Sequence, residues 1–274
     1  LEGKDFNTTL SDFWTSLQEL QKESNSIVTR SSFISNALTF VDRVQTVRSS
    51  LIEYQRNLNT EIKDQVKQIN DLADTILDLN QQILAVEAAN IEHANDLKDK
   101  RNQALDTLSK LVNTETVANT NGTVEVYIEG RCLVTLGRTY KLETQKVCEN
   151  KQYANQYDFT SSATDFLMPV WREDEAPLFD IRRVPTADSG DDIGSLHGLM
   201  MSRGYFISNY TDVPTKPDKP LEKDFTDPAE YQTAVQNYEN EMNRYAKDLE
   251  YFNTYVEPYT VTNLEAQFDV MVHA

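Results

Sequence analysis

The sequence predicts an α+β protein: an elongated antiparallel coiled-coil helical rod with an inserted small antiparallel β-rich domain. Glycine and proline, which break helices most strongly, are absent between Gly3 and Gly122, so this stretch is free to form long helices. From Leu51 to Val86, apolar residues recur about every 3.5 residues, which is the spacing of a coiled-coil seam. The pattern then changes to alternation around Asn121-Gly122, a dipeptide typical of β-hairpins.

The first part of the rod, residues 1–113, should contain three helices. The first covers about Thr8 to Lys22, and a much longer one covers about Phe33 to Ala89. The third, about Ile91 to Leu111, returns antiparallel after a turn near Asn90. The apolar positions of the long helix form its predicted seam: Leu51, Tyr54, Leu58, Ile62, Val66, Ile69, Leu72, Ile76, Leu79, Ile83 and Val86.

Short β-prone segments occupy the inserted domain, residues 114–190. Thr114–Asn119 and Thr123–Ile128 are expected to form a hairpin around the Asn-Gly turn. Cys132–Leu136 and Thr139–Val147 resemble a second antiparallel pair, and Leu178–Val184 is a further candidate strand. These segments predict a small antiparallel β-rich region.

Helices return in the last part of the chain, residues 191–274, at 192–207, 227–257 and 261–274. A proline-rich linker at 211–226 predicts a stiff, extended connection. The 227–257 helix has a second seam that includes a tyrosine stripe. That stripe suits either a packing seam or a surface for carbohydrate or a partner, and its strict helical spacing favours the seam. The stripe consists of Tyr231, Tyr238 and Tyr245.

The composition excludes several classes of function. Lysine and arginine number 26 against 44 acidic residues, so the net charge is −18. Such a chain repels nucleic acid and anionic membrane surfaces. No apolar run approaches the roughly 20 residues of a membrane span. The mean hydropathy of −0.57 suits helices that meet water along much of their length.

The sequence contains no recognisable catalytic or cofactor motif, and we expect neither an enzyme nor a cofactor. His93 with Asp96 and Asp99 resembles half of a metal site, but a solvated helix face is the favoured interpretation. Asp188–Asp192 resembles the start of a calcium loop that lacks its twelfth-position carboxylate, which favours a turn and helix cap. His197 is interpreted as a packing or surface residue.

The two cysteines, Cys132 and Cys148, are predicted to be free thiols. If Leu136 faces Thr139 in the second hairpin, Cys132 faces Glu143, which is five residues short of Cys148. A disulfide between the two thiols would therefore not fit this register.

Three segments in order, Asp64–Ile83, Ala94–Lys110 and the Asn121–Ile128 hairpin, resemble the family of flagellar hook-associated protein 1, the hook–filament junction proteins of bacteria. The family pattern V-x-Q-I-N-x-L-A…L-N-x-x-I precedes A-N-D-L-x-D-x-R-D-x-x-L, in which Asn102 replaces the final aspartate here. Gly194–Arg203 is similar to the family's G-x-L-x-G-L-x-x-x-R helix. The resemblance is specific over 10–140 and 194–203, weak over 141–190, and absent from 211–258.

The resemblance implies a structural axial protein of the bacterial flagellum that forms the junction between hook and filament. It implies an extracellular location and export without a cleaved signal peptide. The implied partners are the hook protein, the second junction protein, neighbouring copies of the chain, and an export chaperone that binds a C-terminal segment missing here. Both terminal segments of the family are missing, which implies a central fragment that is monomeric by itself.

Two further alternatives remain open. A secreted coiled-coil adhesin or effector with a β head is the second functional hypothesis. For the subunit interface, the exposed polar residues of the second motif, Asp96, Asp99 and Arg101, are the candidates. The other interpretation of these three residues is internal salt bridges that hold the helical hairpin.

Overall fold

The computed structural model describes residues 5–88, 94–153, 165–180 and 194–273. These residues form mainly helices and two small antiparallel sheets, which confirms the predicted α+β class. The chain divides into two units: residues 1–55 with 271–274, and residues 56–270. The β-rich region shares its core with the helices around it, and the predicted boundaries at 113 and 190 stay predictions.

The first unit is built on two helices joined by a short turn. Helix α1, Phe6–Lys22, is capped by the Asp5 carboxylate, which accepts a hydrogen bond of 2.6 Å from the Thr8 N–H. Its Phe13 ring lies 5.8 Å from Phe33 and is stacked at 5.2 Å on Phe40 of the next helix. Aromatic packing therefore holds α1 against the beginning of α2.

Helix α2, Ile27–Glu87, is a single helix of 61 residues that begins six residues before the predicted start. The predicted seam is buried from Leu58 onward, with Ala73 taking the buried position next to a half-buried Leu72. Of the other predicted seam residues, Leu51 is half-buried, whereas Tyr54 and Val86 are exposed. The buried apolar residues of α2 are Leu58, Ile62, Val66, Ile69, Ala73, Ile76, Leu79 and Ile83.

Helix α3, Asn95–Leu111, runs antiparallel to the end of α2. The Lys98 ammonium forms an ion pair of 2.6 Å with Glu87, near the end of α2, and Arg101 reaches Asn80 farther back. This geometry agrees with the predicted antiparallel return. The predicted turn near Asn90 and His93 lie outside the described residues.

The first sheet has the order β1-β2-β3, with β1 at Thr114–Ala118, β2 at Val124–Ile128 and β3 at Arg131–Val134. The hairpin of β1 and β2 around Asn121-Gly122 is confirmed. Only a single bridge, Val134 with Thr139, joins the predicted second pair of strands.

The second sheet corrects the predicted pairing. Strand β4, Leu142–Lys146, pairs with β5, Leu167–Trp171, a segment that the sequence analysis did not predict as a strand. Strand β5 begins 21 residues after the end of β4, so no local turn signal in the sequence indicates this pairing. Of the predicted strand at 178–184, residues 178–180 form no strand and 181–184 lie outside the described residues.

Three helices complete the chain: α4 at Gly194–Arg203, α5 at Pro228–Tyr255 and α6 at Thr260–His273. Apart from short 3₁₀ turns at 210–212 and 222–224, the segment between α4 and α5 has no helix or strand, and its stiff, extended form stays a prediction. The Asp227 carboxylate caps α5, and Pro228 occupies its first position. The Tyr231, Tyr238 and Tyr245 stripe is half-buried along α5.

One apolar core extends through the second unit. It combines residues of α2, α3, both sheets, α4 and α6, so the strands pack on the helices rather than forming a core of their own. Representative members are Ile69, Leu108, Val126, Trp171, Met200 and Ala266.

The start of α4 depends on a glycine. Gly194 has φ +63°, and a Cβ atom added there would meet the Leu111 carbonyl oxygen at 2.6 Å and Val112 Cα at 2.7 Å. Both are backbone atoms at the end of α3, so neither is able to move aside cheaply. This close approach explains why the Gly194–Arg203 motif begins with a glycine.

We predict that Gly194→Ala lowers the free energy of unfolding by about 2 kcal/mol or more, because the alanine would be strained and would collide with α3. Urea denaturation followed by circular dichroism measures the change. The matched control is Gly198→Ala in the same helix, where an added Cβ meets no atom within 4 Å. It should be neutral or stabilise by up to about 1 kcal/mol. Equal effects of the two substitutions would contradict the close approach.

Candidate functional site

The described residues contain no group of three or more His, Cys, Asp or Glu side chains that could hold a metal ion. Among the same residues, no helix combines the length and apolar character needed to cross a membrane. His197 is buried and its ring is stacked on Phe179 at 4.3 Å, whereas Asp188–Asp192 lie outside the described residues. Cys132 and Cys148 are free thiols.

The most distinctive polar feature is a set of three asparagines on α2, which we call the asparagine anchors: Asn59, Asn70 and Asn80. Each side-chain amide donates to one backbone carbonyl and accepts from one backbone N–H at the start of a strand. Asn80 donates to the Val124 carbonyl at 2.7 Å and accepts from the Val124 N–H at 3.1 Å. The anchors therefore present to each strand the same donor and acceptor that a neighbouring strand would.

The other two anchors repeat this arrangement on the second sheet. Asn70 donates to the Leu142 carbonyl at 2.8 Å and accepts from the Leu142 N–H at 2.9 Å. Asn59 donates to the Asp165 carbonyl at 3.1 Å and accepts from the Leu167 N–H at 2.8 Å. The first residue of each strand of the second sheet is thus hydrogen-bonded to an asparagine side chain of α2.

Arg101 connects the Asn80 anchor to helix α3. Its guanidinium donates to Asn80 Oδ1 at 3.0 Å and to the Gly122 carbonyl in the hairpin turn at 2.7 Å. The side chain is buried, and this burial lowers the pKa of Arg101, while the Glu87 carboxylate acts in the opposite direction. One cation therefore joins α2, α3 and the β1–β2 turn.

Arg203 makes the corresponding connection between the Asn59 anchor and helix α4. Its guanidinium donates to Asn59 Oδ1, to the Leu167 carbonyl at 2.7 Å and to the Gly204 carbonyl at 2.8 Å. It also lies 5.1 Å from the centre of the Phe166 ring. Complete burial lowers the pKa of Arg203 to about 10.

The predicted interface residues have different environments. Asp96 and Asp99 are exposed on α3, whereas Arg101 is buried and bonded inside the fold. The contacts of Arg101 join elements of one chain, and the hydrogen-bond partners are an amide oxygen and a backbone carbonyl oxygen. A role for these residues between subunits stays a prediction.

The asparagine anchors were not identified from the sequence, although a signal exists. Asparagine is a poor former of helix interiors, so its presence on or beside the apolar face of a long helix indicates a specific hydrogen-bonding role. Asn80 lies between the seam residues Leu79 and Ile83, and Asn70 follows Ile69. The donors and acceptors at these anchors bond to one another, so the arrangement serves to hold elements together.

Comparisons with known proteins show which family this chain resembles. The family model described as the flagellar hook-associated protein FlgK helical domain matches residues 2–254. Flagellar hook-associated protein 1 of Bacillus subtilis is 28% identical over 212 residues, and that of Salmonella typhimurium is 30% identical over 132 residues. These alignments cover 74% and 48% of this chain but 39% and 24% of the two relatives, so the chain spans less than half their length.

A solved structure has a similar fold. The flagellar hook junction protein FlgK from Burkholderia pseudomallei superposes with a TM-score of 0.54 at 24% identity, over 72% of this chain and 32% of that one. The range matched by the family model also includes 211–254, where the motifs had given no resemblance.

We predict that Asn80→Ala lowers the free energy of unfolding by about 2–4 kcal/mol. The substitution leaves the Val124 backbone groups without their partner and removes one acceptor from the buried Arg101 guanidinium. Equilibrium urea denaturation measures the loss.

Gln81→Ala is the control for this prediction, because Gln81 is exposed next to Asn80 in the same helix. It should change the free energy of unfolding by less than about 0.5 kcal/mol. If Asn80→Ala changed the free energy of unfolding as little as Gln81→Ala, Asn80 would not stabilise strand β2.

Proposed function

This chain belongs to the family of flagellar hook-associated protein FlgK, and from that membership we propose that it is the helical part of a structural subunit at the junction between hook and filament. The observation that carries the proposal is the convergence of the family motifs on one buried cluster. Arg101 from the second motif donates both to Asn80 from the first motif and to the Gly122 carbonyl in the hairpin. The residues that resemble the family are thus the residues that build this fold.

A structural role fits the chemistry of the described residues. Their buried polar groups hold helices and strands together, and the proposal includes no catalytic activity and no cofactor. The family-model match extends over most of the chain, and no observation favours the adhesin or effector alternative.

The proposed partners are other axial proteins of the flagellum: the hook protein, the second junction protein and neighbouring copies of this chain. The proposed location is outside the cell, after export without a cleaved signal peptide. Asp96 and Asp99, exposed on α3, are proposed to contact a neighbouring subunit.

Deletion of the full-length gene in its host tests the proposed function. Electron microscopy of the cells should show hooks without filaments, with filament protein shed into the medium, because a missing junction leaves the filament without its support. Complementation with the intact gene is the control and should restore the filaments. Normal filaments in the deletion strain, with no second copy of the gene, would contradict the junction role.

The double substitution Asp96→Lys/Asp99→Lys tests the proposed contact. Introduced into the full-length gene, it should reduce swimming and filament attachment, because it reverses the charge of an exposed surface. The free energy of unfolding of the chain should change by less than about 1 kcal/mol, since both residues are exposed.

Glu239→Lys/Glu241→Lys on α5 is the charge-matched control, since these two glutamates are also exposed. If both pairs reduced swimming equally, net charge rather than a local contact would be responsible.

A further inference from the structure

The proline-rich segment before α5 and the tyrosine stripe of α5 have matching periods. Pro214, Pro217 and Pro220 recur every three residues, and all three are half-buried. A polyproline II helix has three residues per turn, so rings at this spacing lie on one side of it, about 9 Å apart. The tyrosine stripe recurs every seven residues, which is close to two turns of α-helix and about 10.5 Å. The two spacings are close enough for each proline to lie against one tyrosine.

The sequence restricts the proline-rich segment to an extended backbone. Each proline fixes φ near about −65°, and the residue before a proline is shifted towards extended values of ψ. Six of the eight residues 213–220 are restricted in one of these two ways. The residues at the two ends are extended: Val213 has φ −91° and ψ 111°, and Leu221 has φ −102° and ψ 130°.

The segment lies against α5 at two points along the helix. Pro217 lines a surface cleft together with Tyr245, near the end of α5. The Phe225 ring centre lies 5.7 Å from that of Tyr231, near the start of α5. Higher residue numbers in the segment thus correspond to lower numbers in the helix, so the segment runs antiparallel to α5.

The length of the segment fits the distance that it covers. Val213 packs against the apolar core, as Phe252 does near the end of α5. From Phe252 back to Tyr231, the α-helix extends about 31 Å. A polyproline II chain from Val213 to Leu221 extends about 25 Å, and a 3₁₀ turn from there to Phe225 adds roughly 8 Å. A more compact chain would not reach from one end of this stretch to the other.

Most of α5 lies outside the apolar core. The residues of α5 that pack against the core are Tyr251, Phe252 and Tyr255, which lie at the end of the helix, and none of the described residues of α5 is fully buried. In proteins, most of the stability of a helix comes from tertiary packing rather than from intrinsic propensity. Residues 228–250 therefore need a packing partner other than the core.

We propose that residues 213–225 are a strap that holds α5. Its polyproline II part, 213–221, packs its prolines on the tyrosine stripe, and residues 228–250 are helical only while the strap is in place. The proline rings cover the faces of the tyrosine rings, and the phenol hydroxyls reach water. The chain itself occupies the stripe, so a carbohydrate or a partner protein reaches these tyrosines only by displacing the strap.

The double substitution Tyr238→Ala/Tyr245→Ala tests the helix side of this contact. Hydrogen exchange of the whole chain, followed by mass spectrometry, should be at least about tenfold faster in residues 228–250 and within about twofold in the α2 core region 58–83. Alanine is a better helix former than tyrosine, so without a strap contact the same substitutions would slow exchange.

Asn240→Ala/Lys247→Ala is the matched control on α5. Both residues are exposed, have the same seven-residue spacing, and lie about 200° around the helix from the tyrosines. Exchange in residues 228–250 of this variant should be unchanged or slower.

The triple substitution Pro214→Ala/Pro217→Ala/Pro220→Ala tests the strap side. It removes the rings and the backbone restriction, so exchange in residues 228–250 should again be at least about tenfold faster. Lys216→Ala/Asp218→Ala changes exposed residues of the same segment and should leave exchange within about twofold.

Three results would overturn the proposal. Unchanged or slower exchange of 228–250 in the tyrosine variant would show that the strap does not cover the stripe. Equal exchange in the proline variant and in Lys216→Ala/Asp218→Ala would show that the strap does not hold α5. Equally faster exchange in α2 would mean that α5 unfolds together with the core, and not separately with the strap.

Discussion

The asparagine anchors on α2 are the interactions on which the rest of the structure depends. Sheets of two or three short strands have little stability of their own, so these strands need a support outside the sheet. Helix α2 gives that support at three points roughly 15–17 Å apart along its axis. At each point an amide side chain bonds to the backbone at the start of a strand, and apolar side chains between the anchors complete the core.

Two arginines connect the anchors Asn80 and Asn59 to helices α3 and α4. A guanidinium presents several donors in one plane, so Arg101 and Arg203 each bond an anchor and a backbone carbonyl at the same time. A buried cation is costly unless its donors are bonded, which makes each arginine dependent on its asparagine. Loss of Asn80 or Asn59 therefore disturbs a strand and a second helix together.

Helical periodicity predicted where α2 would be buried but not what would cover it. The spacing of Ile62, Val66 and Ile69 is the same whether a helix or a sheet packs on them, because it reports only which side of α2 avoids water. The β1–β2 hairpin was predictable because its Asn-Gly signal is local. The partner of β4 was not, because β5 lies much later in the chain and the contact of Asn70 with Leu142 has no local pattern. Arg101 was singled out in the sequence, but its asparagine partner is 21 residues away on another helix.

The residues that identify the family are buried. The residues that maintain the fold therefore differ from those that can contact other proteins. Asn80, Arg101 and the Gly122 carbonyl bond inside the chain, so they are needed whatever the protein binds. Contacts with other proteins must use exposed residues, as the contact proposed for Asp96 and Asp99 does, and replacement of such residues leaves the core intact. Since such substitutions change the free energy of unfolding little, binding and stability can be altered independently. A variant that loses assembly but keeps its stability therefore locates a contact, whereas one that loses both locates the scaffold.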